Sequence, residues 1–171
     1  MIRTSTRRQR GFTLAELLIV ISVLAIVSAL LVPLAGNDGA TGVRAAAELL
    51  AADIEDVQAR SLAEPKNASC LVPYEDGSGW YIARMSDAAT PIDGIDGQPL
   101  TRRFGSGVLS GSAKVTLTAP ALSGGGLGFD DQGAPVASNS ALTFLLGTDQ
   151  GDLTLGVEVS AATGRVSISR P

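Results

Sequence analysis

The sequence predicts an α+β fold with a long N-terminal hydrophobic helix that is kinked or broken near residues 33–42. A second, amphipathic helix is expected to pack on an antiparallel, β-sandwich-like head. Three observations lead to this prediction. Residues 12–35 form one nearly unbroken apolar run, residues 41–63 carry apolar side chains at three- and four-residue steps, and from residue 68 onward short alternating segments are separated by turns.

The composition indicates one domain behind an apolar stem. After the apolar run, 136 of the 171 residues follow, which is enough for one domain with its own core. The net charge is −4, and without the four arginines of the N-terminal tail the balance is −8, which argues against a nucleic-acid partner. The absence of histidine removes the usual general base and the commonest metal ligand, and the single cysteine, Cys70, excludes an internal disulfide.

The apolar run is long enough to cross a membrane as a helix. Its 24 residues would span about 36 Å, against about 30 Å for a hydrocarbon core. Four arginines and no acidic residue precede it, which predicts a cytoplasmic N-terminus and an outward-facing C-terminal part. The run is longer than the ~7–15 apolar residues of a secretory signal peptide. A plain membrane anchor is enough to explain this topology.

Glu16 is the one charged residue within this run. A carboxylate in a membrane helix costs about 2.5–3.5 kcal/mol at the centre and less near an end, so it points to a function and a partner. Because Glu16 lies only four residues into the run, snorkelling of its side chain toward the interface is the alternative.

Residues 10–20, RGFTLAELLIV, resemble the class III signal of type IV pilins and type II secretion pseudopilins. The resemblance implies that a prepilin peptidase cuts between Gly11 and Phe12 on the cytoplasmic side and then N-methylates Phe12. It also implies that Glu16 pairs with the N-terminal amine of a neighbouring subunit during assembly. Pro33 matches the proline that is common near the far end of the pilin helix.

The same resemblance implies four parts of the chain. Residues 1–11 would be a cytoplasmic leader that the peptidase removes, and residues 12–35 a transmembrane and assembly helix. Residues 36–64 would form the stem break and the amphipathic helix, and residues 65–171 a β-rich periplasmic head. The implied location is the inner membrane, crossed once. The implied partners are the prepilin peptidase, other pilin-like subunits through the N-terminal helix, and an inner-membrane assembly platform.

The stem is predicted to break before the second helix begins. Pro33 disfavours helix, and three glycines occur within residues 36–42, so we expect a bend or a locally melted turn there. The second helix is predicted to run from about Thr41, a suitable N-cap, to about Ala63. Its apolar stripe comprises Val43, Ala46, Ala47, Leu50, Ile54, Val57 and Ser61. Its charged residues are predicted to lie mostly on a solvated face: Glu48, Asp53, Glu55, Asp56 and Arg60.

The head is predicted to contain seven short strands, because apolar and polar residues alternate between turn signals. These strands are residues 68–73, 79–85, 98–104, 113–118, 142–146, 153–160 and 165–169. Asp76-Gly77 and Thr163-Gly164 are predicted at hairpin turns, and Trp80 is predicted to be a core residue.

Few segments of the head have residues that could carry chemistry. One is a glycine-containing loop with three aspartates, Asp87, Asp93 and Asp96. It lacks the D-x-D-x-D-G…E layout of a calcium loop, so a solvated turn is preferred, as it is for Asp130-Asp131. The glycine-rich residues 123–128 lack the Gly-Lys-Ser/Thr ending of a phosphate-binding loop, so they are predicted to be a flexible loop. The sequence therefore predicts no catalytic residue, no metal site and no cofactor.

Three short segments, residues 59–61, 79–82 and 163–168, resemble the H-type minor pseudopilins and the FimT-like pilins. This resemblance implies a non-enzymatic structural subunit of a type II secretion pseudopilus, involved in protein secretion. A minor pilin of a type IV pilus, serving adhesion, motility or DNA uptake, is the first alternative. A membrane-tethered binding domain that never polymerises is the second, and Glu16 distinguishes it because only assembly gives that residue a dedicated partner.

Overall fold

The computed structural model, which describes residues 14–31, 38–136, 140–148, 151 and 153–171, confirms the α+β fold. Two α-helices lie in these residues, α1 (Leu14–Leu31) and α2 (Asp38–Ala63). The strands are β1 (Ser69–Pro73), β2 (Gly79–Arg84), β3 (Asp87–Pro91), β4 (Thr101–Arg103), β5 (Val115–Thr118), β6 (Leu127–Gly128), β7 (Leu142–Thr148), β8 (Thr154–Val159) and β9 (Val166–Ser169). Short 3₁₀ helices cover Pro65–Asn67, Gly107–Ser112 and Ser123–Gly125.

The described strands form two antiparallel sheets. The first has the order β3-β2-β1-β6, and β4 also pairs with β2. The second has the order β5-β7-β8-β9. Short turns connect the strands of the hairpins. Gly77 and Gly164 adopt left-handed φ values of 67° and 64°, which confirms the two turns predicted there.

The chain divides into two compact units, Met1–Asn37 and Asp38–Pro171. In the described residues, α1 belongs to the first unit, whereas α2 and both sheets belong to the second. We call this second unit, Asp38–Pro171, the head unit.

The apolar stripe of α2 forms the centre of the head unit, as its spacing predicts. Its six apolar members are all 0 % exposed, and Ser61 is 1 % exposed. The stripe packs against both sheets, and the largest side chains in the same core are Trp80 from β2, Phe129 just after β6 and Phe144 from β7. One helix therefore covers the inner faces of two sheets, and Trp80 is confirmed as a core residue.

The predicted stem break is wrong for residues 38–42, because α2 already begins at Asp38. Gly42, near the start of α2, allows a close contact with the segment Gly111-Ser112. A Cβ atom on Gly42 would lie 2.8 Å from the carbonyl oxygen of Gly111, and the Ser112 hydroxyl donates a hydrogen bond of 3.0 Å to the Gly42 carbonyl. Residues 32–37, which include Pro33 and the rest of the predicted break, lie outside the described residues.

The seven predicted strands are found with shifted ends, and two further strands were not predicted. β3 was missed because its sequence, DAATP, lacks apolar alternation and its residues are exposed or half-buried. β6 corrects the prediction of a flexible loop over residues 123–128, since Gly128 pairs with Cys70 and Leu127 with Leu71. Gly126 permits this approach, because a Cβ atom there would lie 3.1 Å from the sulfur of Cys70.

Candidate functional site

Of the four predicted processing and assembly residues, the structure describes Glu16. It lies in the first turn of α1, and its side chain is exposed. Gly11, Phe12 and Pro33 lie outside the described residues. Their roles in cleavage, methylation and assembly therefore stay predictions.

Apart from Glu16, the surface of α1 from Leu14 to Ile26 is apolar on all sides. Nine large aliphatic side chains between Leu14 and Ile26 are 50–83 % exposed. The hydroxyl of Ser22 is turned back onto its own helix, where it donates a hydrogen bond of 2.8 Å to the Leu18 carbonyl. A helix that is hydrophobic all round is stable only where another apolar phase or another protein covers it. Within the described residues, no helix reaches the combination of length and apolarity that crossing a membrane requires.

The head unit contains a buried charged cluster that the sequence did not reveal. The indole Nε1 of Trp80 donates a hydrogen bond of 2.8 Å to Oδ2 of Asp53. The Arg102 guanidinium donates to the same carboxylate, from Nε to Oδ2 at 3.1 Å and from Nη2 to Oδ1 at 3.4 Å. Asp53 is only 7 % exposed and Trp80 is fully buried. The cluster therefore joins α2 to β2 and β4.

The prediction that Asp53 lies on a solvated face is wrong. Asp53 follows Leu50 by three residues and precedes Val57 by four, so its spacing places it on the buried stripe. A buried carboxylate needs hydrogen-bond donors. Trp80 on β2 and Arg102 on β4 are neighbours in the sheet, and each donates to Asp53. Because three donors occupy its oxygens, this carboxylate is suited to holding elements together.

Two aspartates of the loops, Asp96 and Asp130, cap their own turns. Oδ1 of Asp96 accepts a hydrogen bond of 3.1 Å from the Gln98 amide. Oδ1 of Asp130 accepts two, from the amides of Gln132 at 2.9 Å and Ala134 at 2.8 Å. In the part of the chain that the structure describes, no group of three or more His, Cys, Asp or Glu side chains is placed to hold a metal ion.

Cys70 lies on β1 and is 3 % exposed. Burial raises the pKa of its thiol from 9.0 to about 11. The thiol is therefore protonated at neutral pH and is a poor nucleophile there.

Comparison with known proteins identifies the N-terminal part of the chain. Residues 6–32 match the family model of the prokaryotic N-terminal methylation motif. No curated protein and no solved structure matches the chain significantly. The matched range contains Gly11, Phe12 and Glu16, and all of α1. The motif implies processing by a prepilin peptidase and association with other pilin-like subunits. The chain thus carries a type IV pilin-like signal, the prokaryotic N-terminal methylation motif, ahead of an α+β head.

Proposed function

We propose that this protein is a non-enzymatic minor pseudopilin, a structural subunit of a type II secretion pseudopilus. The methylation motif over residues 6–32 is the observation that carries the proposal. The motif includes an apolar helix and is followed by a head that folds around its own helix, which is the arrangement that a filament subunit needs. The H-type assignment rests on the three short resembling segments within residues 59–168 alone.

Maturation is proposed to occur by cleavage after Gly11 and N-methylation of Phe12. Glycine lets a peptidase approach the backbone closely, since it has no side chain. A cut at this position removes the four arginines of the tail and keeps the apolar helix on the product. The mature subunit would be held in the inner membrane with the head unit in the periplasm, before its extraction into the filament by the assembly platform.

Glu16 is proposed to pair with the methylated N-terminal amine of a neighbouring subunit. Two opposite charges in a low-dielectric setting attract each other strongly, and the pair offsets the desolvation of both groups. Glu16 lies in the first turn of an otherwise apolar helix, so such a pair would fix the axial register between adjacent subunits.

The first test is the mass of the full chain expressed with and without its prepilin peptidase. We expect a mature chain that begins at methylated Phe12, and only when the peptidase is present. Gly11→Val should block the cut, whereas Gly36→Ala, a matched glycine change after the apolar run, should leave it intact. A chain that keeps Met1, or one cut near Gly36, would contradict the proposal.

The type IV pilus remains the alternative because the methylation motif is shared by both machines. Deletion of the gene distinguishes a role in the pilus from a role in secretion. Loss of a secreted enzyme from the medium with intact surface pili supports the pseudopilin, whereas loss of pili with normal secretion supports the minor pilin. The Glu16→Leu variant should be processed normally yet fail to restore the affected machine. If it restores that machine fully, the assembly role of Glu16 is wrong.

A further inference from the structure

The first sheet has a second apolar face. Leu71, Trp80 and Ile82 belong to the main core with α2. The alternate residues of the same strands, Cys70, Val72 and Ala83, form a separate cluster on which Tyr81 and Ala88 pack. Antiparallel sheets commonly have one face on the core and one solvated face. The second face of this sheet is instead packed, since Cys70, Val72 and Ala83 are at most 8 % exposed.

A cleft of about 950 Å³ opens beside this second cluster. It lies between the β1–β2 hairpin and the segment that runs from β5 toward β6. Its lining includes Val72, Tyr74, Tyr81, Leu117 and Pro120. The volume is in the range of known ligand-binding clefts. The chain has only two tyrosines, and both line this cleft.

The two tyrosine rings are held in place before any ligand arrives. Their centroids are 5.2 Å apart with planes inclined at 43°. The Tyr81 hydroxyl donates a hydrogen bond of 2.9 Å to the Ala88 carbonyl, and the guanidinium carbon of Arg103 lies 3.9 Å from the centroid of the Tyr74 ring. Rings fixed in this way lose little entropy when a partner packs on them. The Tyr74 hydroxyl makes no hydrogen bond to any described residue, so it is available to a ligand.

The charged lining of the cleft is acidic. Glu75 and Asp76 line it, and no lysine or arginine does so in the described residues. Asp76 is already occupied, since it accepts a hydrogen bond of 2.9 Å from the Ser78 amide and lies 3.9 Å from the Arg103 guanidinium. These contacts hold the pKa of Asp76 below its usual value of 3.8. Glu75 is exposed and has no hydrogen bond or ion pair to a described residue, so a cation is its natural complement.

We propose that this cleft binds an extended, proline-containing segment of a partner protein that carries a basic residue. Proline-rich segments dock in aromatic-lined grooves because their extended conformation is formed before binding. Tyr74 and Tyr81 pack against the proline rings, while Pro73 and Pro120 complete the apolar wall. Glu75 pairs with the basic residue at the rim. This site is independent of the proposed filament function and uses none of the residues of the N-terminal motif.

The test uses the full chain in detergent micelles with ¹³C-labelled tyrosine, which gives one set of ring signals for each of the two tyrosines. The probe is a synthetic peptide with two Pro-x-x-Pro units flanked by arginine. Two control peptides replace either the arginines by glutamate or the prolines by glycine. We expect both tyrosine signals to shift saturably with the arginine peptide and much less with either control.

Variants of the chain locate the contact. Glu75→Gln should raise the Kd about threefold, as expected for an exposed ion pair. Glu55→Gln, a matched change on the exposed face of α2, should leave the Kd unchanged. Tyr74→Leu keeps an apolar side chain and should raise the Kd about tenfold or more. The backbone amide spectrum of each variant shows that the head unit is folded.

Four outcomes would overturn the proposal. The first is the absence of a shift at millimolar peptide, and the second is equal binding of the arginine and glutamate peptides. The third is a shift with a neutral oligosaccharide but not with the peptide, which would assign the cleft to carbohydrate. The fourth is a shift that depends on protein concentration without any peptide, which would assign it to a second copy of this chain.

Discussion

The helices α1 and α2 are both rich in aliphatic residues, but these side chains are exposed in α1 and buried in α2. In α2 the six apolar residues of the stripe are 0 % exposed, because two sheets cover them. In α1 the large aliphatic residues from Leu14 to Ile26 are at least 50 % exposed. The head unit therefore buries the apolar face of its own helix. The α1 helix depends on a surrounding that the described chain does not supply, which agrees with a motif shared by pilin-like subunits.

The same substitution in the two helices should have very different effects. Leu50→Ala removes a fully buried side chain and should lower the free energy of unfolding of the head unit by about 3–5 kcal/mol. Leu18→Ala, at a position 55 % exposed, should leave it nearly unchanged. The measurement is urea unfolding of the full chain in detergent, followed by the fluorescence of Trp80, the only tryptophan. Equal losses in the two variants would show that the comparison between the helices is wrong.

The buried cluster around Asp53 gives the next largest effect. Asp53→Ala leaves the Trp80 indole and the Arg102 guanidinium without their acceptor, and should cost about 2–3 kcal/mol. Asp56→Ala, also on α2, breaks an exposed pair with Arg60 and should cost less than about 1 kcal/mol. Thermal unfolding of the two variants measures the difference. If both variants melt at the same temperature, the Asp53 cluster contributes no more than a surface ion pair.

The elements that could be predicted from the sequence are those whose signal is local. The three- and four-residue spacing of Val43 to Val57 predicted the buried face of α2, and the glycines at 77 and 164 predicted two turns. The N-terminal signal is also local, since it lies within a short continuous segment. The partners of Asp53 could not be predicted in this way, because they depend on how β2 and β4 pair far along the chain.

The stem break was overpredicted for the same reason. Helix propensity depends on the residue alone and disfavours glycine, but the benefit of a missing Cβ at Gly42 comes from Gly111, nearly seventy residues away. The tyrosine cleft combines segments from the β1–β2 hairpin and from β5 onward, so no short sequence pattern contains it. Contacts between distant segments therefore account for most of what the sequence did not reveal.

Gly42→Ala tests whether packing or propensity decides the start of α2. Propensity alone would make this change stabilising by about 0.5–1 kcal/mol. The new Cβ would lie 2.8 Å from the Gly111 carbonyl oxygen, and we expect a net loss of about 1 kcal/mol. Gly111→Ala is the matched control, because a Cβ there meets no atom within 4 Å. Thermal unfolding shows whether the Gly42→Ala variant is more or less stable than the wild type. A more stable variant would mean that α2 and the segment around Gly111 can move apart at no cost.

The last effect appears only at high pH and arises at Cys70, in the second cluster of the first sheet. Burial raises the pKa of its thiol from 9.0 to about 11, so the folded head unit favours the protonated thiol. The resulting stability is fully present below pH 9 and is lost as the pH rises through 11. Tyr81, whose pKa is also raised by burial, acts in the same direction, so the wild type must be compared with Cys70→Ala. Between pH 8 and pH 10.5 the Tm of the wild type should fall further than that of the variant, because only the wild type has the buried thiol to ionise. Parallel Tm curves would mean that the thiol ionises without opening the sheet, and the outer face of that sheet would then be wetter than its 3 % exposure at Cys70 indicates.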